Sequence, residues 1–352
     1  MYEQDPFSAL EAIAEAQRIA FAPMLFQTAV CLRRFGLLEF LDKQGKRGAT
    51  LDEVVEGCEA DEYAASVLLD MALSGRIITQ SEDRFYIAKV GHFLLHDPMT
   101  RVNMDFSQDV CYQGLYFLED ALRHGKPAGL RVFGEWPTIY PALSQLPNPA
   151  RDSWFAFDHY YSDAAFTAAL PHIFASQPVR LYDVGGNTGK WAMTCCKYDA
   201  NVTVTLLDLP EQIALAQKNV DAAGLSARIH FHPVDMLSEA PLPSEADIWW
   251  MSQFLDCFSP EQIVGMLNKI AGVMKPGARL CIMELFWDAQ KFDAAAFSLN
   301  ATSLYFTCMA NGNSRFYSAE NFLRYLEMAG FSIEKRLDNL GVGHTLLICH
   351  KK

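Results

Sequence analysis

From residue 179 onward the chain alternates short runs rich in β-branched, aromatic and aliphatic residues with amphipathic stretches, and this alternation constrains the fold more than any other feature. "VRLYDV" leads to a helix from Lys190, "VTVTLLDL" to "PEQIALAQKNVDAAG", "RIHFHPV" to a loop, "ADIWWM" to "SPEQIVGMLNKIAGVM", and "ARLCIMELF" to a long segment and the helix "SAENFLRYLEMAG". Strands separated by helices pair in parallel, so the pattern predicts an α/β, doubly wound sheet with helices on both faces. The ending differs. "FSIEKRL" and "HTLLICH" are separated only by "DNLGVG", too short for a crossover helix, so these last two strands are expected to be antiparallel.

Two changes of texture divide the chain into 1–100, 101–178 and 179–352. The first segment is helical, with "SALEAIAEAQRIA", "FQTAVCLRRFGLLEFL", "TLDEVVEGC" and "DEYAASVLLDMALSG", in which Val67, Leu68 and Met71 fall on one helical face. A hairpin-like "RIITQSEDRFYIA" follows, and helices capped by a hairpin describe a winged helix. DNA binding does not follow from that shape. Gly48 to Gly75 holds no Lys or Arg and seven acids, Asp52, Glu53, Glu56, Glu59, Asp61, Glu62 and Asp70, so the recognition helix lacks the cations that phosphates require. The whole chain carries 29 Lys and Arg against 42 Asp and Glu, a net charge of −13, which repels a polyanion and excludes nucleic acid as the expected partner. The middle segment is aromatic and punctuated by proline. "GEWPTIYPALSQLPNP" reads as a loop and "RDSWFAFDHYYSDAAFTAALPHIF" as one or two helices, a connecting layer.

Over 352 residues the chain is 51% apolar, enough for a large buried core. Its nine cysteines are scattered without a C-x-x-C pair or a Cys/His cluster at zinc spacing, so no metal is expected and the thiols read as reduced, in a cytoplasm. The opening "MYEQDPFSAL" lacks the basic start of an export signal, and Ile19–Leu32, broken by Pro23 and Gln27, is too short for a bilayer. Neither export nor a membrane partner is expected.

The first strand of the alternating region runs into "LYDVGGNTG", residues 181–189. A Walker A loop would place Ser or Thr after Lys190, where Trp191 stands, so the magnesium hydroxyl is missing. A dinucleotide fingerprint would need glycine at Val184, and Asp183 would repel a pyrophosphate. What remains is a positively charged ligand without phosphate, approached by backbone at Gly185, Gly186 and Gly189, with Asp183 as counter-charge. Asp208 ends the next strand, where a carboxylate can accept both hydroxyls of a ribose, and "PVDML" offers Asp235 for an adenine amino group and Met236 for its face. Three acids at three successive strand ends suit S-adenosylmethionine. A plain tight turn with helix-capping acids explains each one singly but not the ordered set.

Here the chain resembles the class I S-adenosylmethionine-dependent methyltransferases, and within them the small-molecule enzymes of the plant caffeate and bacterial hydroxyaryl O-methyltransferase type. The resemblance runs nearly end to end, through "DVGGNTG", "DLP", "VDM", "MKPGARLCIMELF" and "NSRFYSAENF". It implies a mostly parallel seven-stranded sheet with a terminal antiparallel hairpin, preceded by an all-helical winged-helix-like dimerisation domain, in a homodimer that shares its pockets. It implies that Leu209 of "DLP", Ser162 in "YYSD" and Ser252 after "IWWM" lie beside the cofactor. It also implies a wall for a small aromatic substrate, free or tethered to a carrier protein, from Phe258, Trp287, Phe297, Tyr305 and Met309, and a place in secondary metabolism. The chain departs at Asn187, where the family has glycine; asparagine tolerates positive φ, so the turn is expected to survive.

The larger departure is chemical. Ser259-Pro260-Glu261-Gln262 is a helix start, which leaves Asp256 in the loop at the carboxyl edge of the sheet. The family places His-Asp-Trp there, and its His removes the phenol proton; this chain has Asp256-Cys257-Phe258. A desolvated carboxylate is a stronger base, and Glu284 in "IMELF", which in the family orients the His, would pair with it. A second family Glu is replaced by Ser314. Three readings follow: O-methylation of a phenol with Asp256 as base, C-methylation ortho to the hydroxyl, and a catalytically silent cofactor-binding dimer. His159 in "FDHYYSD" is the other candidate base, and a lone His among aromatics is commonly structural.

Overall fold

The computed structural model describes residues 4–352, so the first three residues of the stretch read for an export signal lie outside the described residues. Two compact units divide the chain, one ending at Gln108 and the other spanning Asp109–Lys352. The segment 101–178 is therefore not a body of its own; from Asp109 on it folds with the sheet.

The first unit contains α1 (Ala9–Ala20), α2 (Ala22–Arg34), α3 (Leu37–Gln44), α4 (Leu51–Gly57) and α5 (Glu62–Ser74), the strands β1 (Ile78–Ser81) and β2 (Arg84–Ile87), then α6 (Lys89–His96) and α7 (Pro98–Phe106). Local chemistry sets the boundaries. Ser8 with Glu11 and Thr50 with Glu53 form capping boxes, and the Asp61 side chain accepts from the Ala64 N–H at the start of α5. Because β1 and β2 pair antiparallel, Ser81 opposite Arg84, the unit is not all-helical. The core face of α5 is also corrected. Ala65, Leu69 and Ala72, at spacings of four and three, are buried, whereas Val67 is 49% exposed, because the rotation of the helix is decided by what packs on it from α2 and α4.

In the second unit α8 (Leu118–His124) precedes the long α9 (Ala150–Ile173), one helix with Pro171 in its last turn. There follow β3 (Arg180–Val184), α10 (Lys190–Tyr198), β4 (Thr203–Asp208), α11 (Pro210–Ala222), β5 (Ile229–Pro233), β6 (Ile248–Ser252), α12 (Pro260–Val273), β7 (Arg279–Glu284), α13 (Asp293–Tyr305), α14 (Ala319–Met328), β8 (Phe331–Leu340) and β9 (His344–Lys351). The seven strands lie in the order β5-β4-β3-β6-β7-β9-β8. β3 to β7 are parallel, and β9 runs against both β7 and β8. The terminal hairpin thus exists, with its second strand folded between β7 and β8.

Strand β6 shows why both faces are covered. Its side chains alternate, so Trp249 and Met251 enter one apolar cluster while Ile248 and Trp250 enter the other, where Trp250 stacks on Trp191 at 4.0 Å. Each such fully buried side chain contributes roughly 1.5–3 kcal/mol relative to exposure. The sheet order brings the carboxyl ends of β5, β4, β3, β6 and β7 into one row, and the strand order reverses between β3 and β6, where ligands of such sheets bind. Among the described residues no helix is long and apolar enough to cross a membrane.

Candidate active site

The glycine loop turns between β3 and α10. Gly185 and Gly189 have φ of +71° and +78°, and a Cβ on Gly185 would collide with the Phe254 ring. At Gly186 a Cβ would press on Asp183 Oδ2 at 2.7 Å and on Leu206, so glycine here keeps that oxygen clear. Asn187 takes φ +47°, as expected for the one position where the chain departs from glycine. It also does what glycine cannot: its Nδ2 donates to Asp158 Oδ2 at 3.1 Å, tying the loop to α9. Asp208, at the end of β4, accepts from the Asn187 N–H at 2.8 Å and the Leu209 N–H at 2.7 Å, so it holds both neighbouring turns.

These groups fit a cationic, polar ligand. Asp183 is 2% exposed, its Oδ2 has no hydrogen-bond partner, and burial first and the charge of Asp208 second push it up to about 8. Burial raises Asp208 to about 6. Ser252 Oγ on the adjacent β6 and Asn187 Oδ1 are likewise buried and without a partner. Unsatisfied buried acceptors beside a carboxylate cost free energy that a bound cation with donors removes. Gly185, Gly186, Asn187, Asp183, Asp208 and Ser252 are the residues that could hold S-adenosylmethionine here. Met236 is buried and Leu209 half-buried; Asp235 is exposed, its Oδ1 accepting from the Leu237 N–H at 2.9 Å. Ser162 is buried on α9, with Oγ donating to Asp163 at 3.5 Å.

Beyond the ends of β6 and β7 stand two buried acids. Asp256 is 4% and Glu284 2% exposed. Glu284, the last residue of β7, accepts through Oε1 from the Phe254 and Leu255 N–H groups at 3.2 and 3.0 Å, while its Oε2 has no partner. Desolvation pushes Glu284 well above the usual carboxylate range, and the charge of Asp256 adds to this. Desolvation pushes Asp256 up to about 7, opposed by a hydrogen bond from the Cys257 thiol and aided by the charge of Asp158. Burial and mutual repulsion thus favour the protonated form of both carboxyls, so the pair takes up and releases protons far more readily near neutral pH than exposed acids do.

Asp158 escaped the sequence reading. Its pKa is raised, by desolvation first, and it links the glycine loop, through Asn187, with the field of Asp256. The available signal was the four-residue spacing of Trp154, Asp158 and Ser162 along α9, which puts all three on one face. Asn311 and Tyr140 were also missed. Asn311 Nδ2 donates to the Cys257 carbonyl and to Tyr140 Oη, and its Oδ1 accepts from Ser314, the residue that replaces the second family Glu, at 2.9 Å. His159 sits one residue from Asp158, with Nδ1 3.8 Å from Asp163 and its ring stacked with Phe155.

The expected aromatic wall is only partly assembled. Tyr305 is buried and accepts from Trp154 Nε1 at 2.6 Å, and the charge of Asp158 reaches it. Phe258 packs edge-on to Phe254 at 4.9 Å, and its carbonyl accepts from Tyr317 Oη. Trp287 is half-buried. Phe297, by contrast, is 72% exposed, because it lies on the outer side of α13, and Met309 is fully buried against the turns at Gly114 and Gly129. Helical spacing alone could not tell these three environments apart.

Comparison with known proteins gives the domain family and the fold. The O-methyltransferase domain family matches residues 164–332, and a Dimerisation2-like domain matches residues 14–85. The chain is 25% identical over 340 residues to an L-tyrosine C(3)-methyltransferase of Streptomyces lavendulae, covering 95% of this chain and 91% of that protein. Over 124 residues it is 32% identical to a 3-hydroxy-5-methyl-1-naphthoate 3-O-methyltransferase of Streptomyces sahachiroi, covering 34% of this chain and 36% of the relative. The solved structure of the S-adenosylmethionine-dependent methyltransferase SibL in its apo form shares the fold, with a TM-score of 0.73 at 23% identity over 96% of this chain and 99% of that one. The domain match spans the glycine loop and the acids at the ends of β3 to β7, and the chain belongs to the S-adenosylmethionine-dependent methyltransferases that carry an O-methyltransferase domain behind a dimerisation-like domain.

Proposed function

We propose that the protein methylates a small hydroxyaryl compound, with Asp256 taking the hydroxyl proton in place of the family's His. What carries this reading is Asp256, a carboxylate only 4% exposed that desolvation pushes up to about 7, next to a buried Glu284 that is itself pushed well above the usual carboxylate range. Bound S-adenosylmethionine supplies an electrophilic methyl group on a sulfonium sulfur. Asp183, the glycine loop and Ser252 orient it, and Asp208 takes the ribose hydroxyls. Trp154, Tyr305 and Phe258 offer flat apolar surface to an aromatic ring and exclude water from it. Asp256 then accepts the proton as the substrate oxygen forms its bond to carbon, a role worth roughly 10²–10⁴ in rate. Glu284 holds the Phe254–Leu255 turn by its backbone N–H groups, and so acts as a positioning residue for Asp256. Asp235, Met236 and Ser162 complete the cofactor set in this reading, and His159 is structural.

A second reading is favoured by the relative matched along 95% of the chain, whose name states methylation at C(3) of L-tyrosine, the ring carbon next to the hydroxyl-bearing one. Here Asp256 takes the hydroxyl proton, the ortho carbon gains the methyl group, and the ring then loses its hydrogen as the hydroxyl recovers one. The balance is again one proton released.

The test is incubation with methyl-labelled S-adenosylmethionine and a panel of phenols, hydroxynaphthoates and tyrosine, with mass spectrometry for product and NMR for the position of the methyl. A methyl ether supports the first reading and a ring methyl the second. Cofactor binding by calorimetry with no product across the panel counts against both and favours a silent binder. The dimerisation-like domain supports a homodimer, the nine free cysteines a reducing compartment, and the same labelling with carrier-bound substrates tests tethering.

A further inference from the structure

Within the first unit, α3 and α6 bring together three side chains that methyl transfer does not use. His92 and His96 lie one turn apart on α6, their ring centroids 4.6 Å apart. Asp42, on α3 and 50 residues away in sequence, presents Oδ1 to His92 Nδ1 at 3.3 Å and Oδ2 to His96 Nε2 at 2.8 Å. One ligand atom from each lies within 4.8 Å of the others. A tetrahedron of zinc–nitrogen and zinc–oxygen bonds of about 2.0–2.1 Å has edges of about 3.3 Å, so small rotamer adjustments bring these atoms onto its corners.

We propose that Asp42, His92 and His96 form a binding site for a divalent transition-metal ion of the zinc type, with three protein ligands and a fourth position open to water. The chemistry of the set supports this. Two imidazoles and one carboxylate are the donors that zinc takes, and histidines at i and i+4 on a helix converge on one ion. The imidazole side chains are about half exposed, at 55% and 48%, which leaves an entry path and room for water. Glu39 is engaged instead by Lys43 at 2.8 Å and is left out of the set. An ion at this place clips α6 to α3 and closes the intervening segment that contains α4, α5 and the β1–β2 hairpin, so it would stabilise the unit.

The full-length protein, freed of metal by a chelator, would be titrated with Zn²⁺ by calorimetry and with Co²⁺ by visible absorption. The expected result is one ion per chain, Co²⁺ bands of tetrahedral intensity without thiolate charge transfer, and a Tm that climbs with free Zn²⁺. His92→Gln/His96→Gln and Asp42→Asn should each weaken binding by at least about 100-fold, the upper end of what loss of a mere supporting group costs. The histidines are exposed and Asp42 is half-buried, and circular dichroism checks that the variants fold. No saturable binding at one equivalent, thiolate charge transfer in the wild-type Co²⁺ spectrum, or undiminished affinity in the double variant would each overturn the proposal.

Discussion

At the ends of β3 and β4 the edge proposed for the cofactor is shaped by backbone, whereas at the ends of β6 and β7 the edge proposed for the reaction is set by the burial of acids. The first is a matter of φ angles and N–H directions: Gly185, Asn187 and Gly189 all take positive φ, and the Asn187 and Leu209 N–H groups converge on Asp208. It absorbs a change from glycine to asparagine with a gain, the tie to Asp158. The second depends on what surrounds each carboxylate, so on the proposed reading Asp256 is a base made by desolvation where the family uses an imidazole. A site of this kind preserves cofactor geometry while the chemistry at the acceptor atom is free to drift.

The sharpest way to break this contrast is Gly186→Val, whose side chain would fill the space beside Asp183 Oδ2 and Leu206. Calorimetry should show cofactor affinity falling by at least about 100-fold, since a clash and a blocked counter-charge act together. Retained affinity would mean that the loop is not the cofactor site. Next comes Asp256→Asn, expected to slow turnover by about 10²–10⁴ while cofactor affinity stays within about twofold. In the wild type, the rate at limiting substrate should rise with pH until it levels off above about 7, as Asp256 loses its proton; the variant should be flat. A slope that survives in the variant and disappears in His159→Ala would move the base to α9.

A smaller effect concerns stability. Burial pushes Asp183 up to about 8 and Asp256 to about 7, so between about pH 4 and 8 these two groups bind more protons in the folded chain than in the unfolded one, opposed below about 6.5 by the buried His344, held down at about 4. Stability of the cofactor-free protein therefore falls as pH rises through that window. Calorimetric Tm should be lower at pH 8 than at pH 5, and Asp183→Asn and Asp256→Asn should each flatten the trend. A Tm that rises between those pH values would contradict the assigned burial. Smallest is Asn187→Gly, which keeps the turn but loses one hydrogen bond to Asp158, costing about 1 kcal/mol in denaturant unfolding with little change in cofactor affinity; Asn187→Ala should cost more, because alanine resists positive φ.

Features that depend on neighbours in sequence were legible before any coordinates. The strand–helix alternation, the antiparallel ending and the capped start of α12 rest on periodicity and turn chemistry, and the glycine loop on the absence of Cβ atoms; these act within a few residues. The order of Asp183, Asp208 and Asp235 along the chain likewise became an order along the sheet edge, because right-handed crossovers leave successive strands few places to go. The exposed Phe297, the core-bound Met309 and the buried Tyr305 share one aromatic segment, and periodicity cannot say which side of α13 meets the site.

What only the tertiary structure decided is which distant groups share a low-dielectric space. Asp158 and Asp256 lie on different elements, and their mutual field, with the desolvation that raises Glu284, exists only once α9 and the ends of β6 and β7 converge. Asp42 meets His92 and His96 across 50 residues for the same reason. Residue order determines local geometry through the backbone, whereas protonation and ligation depend on distance and burial, which are set when the chain packs.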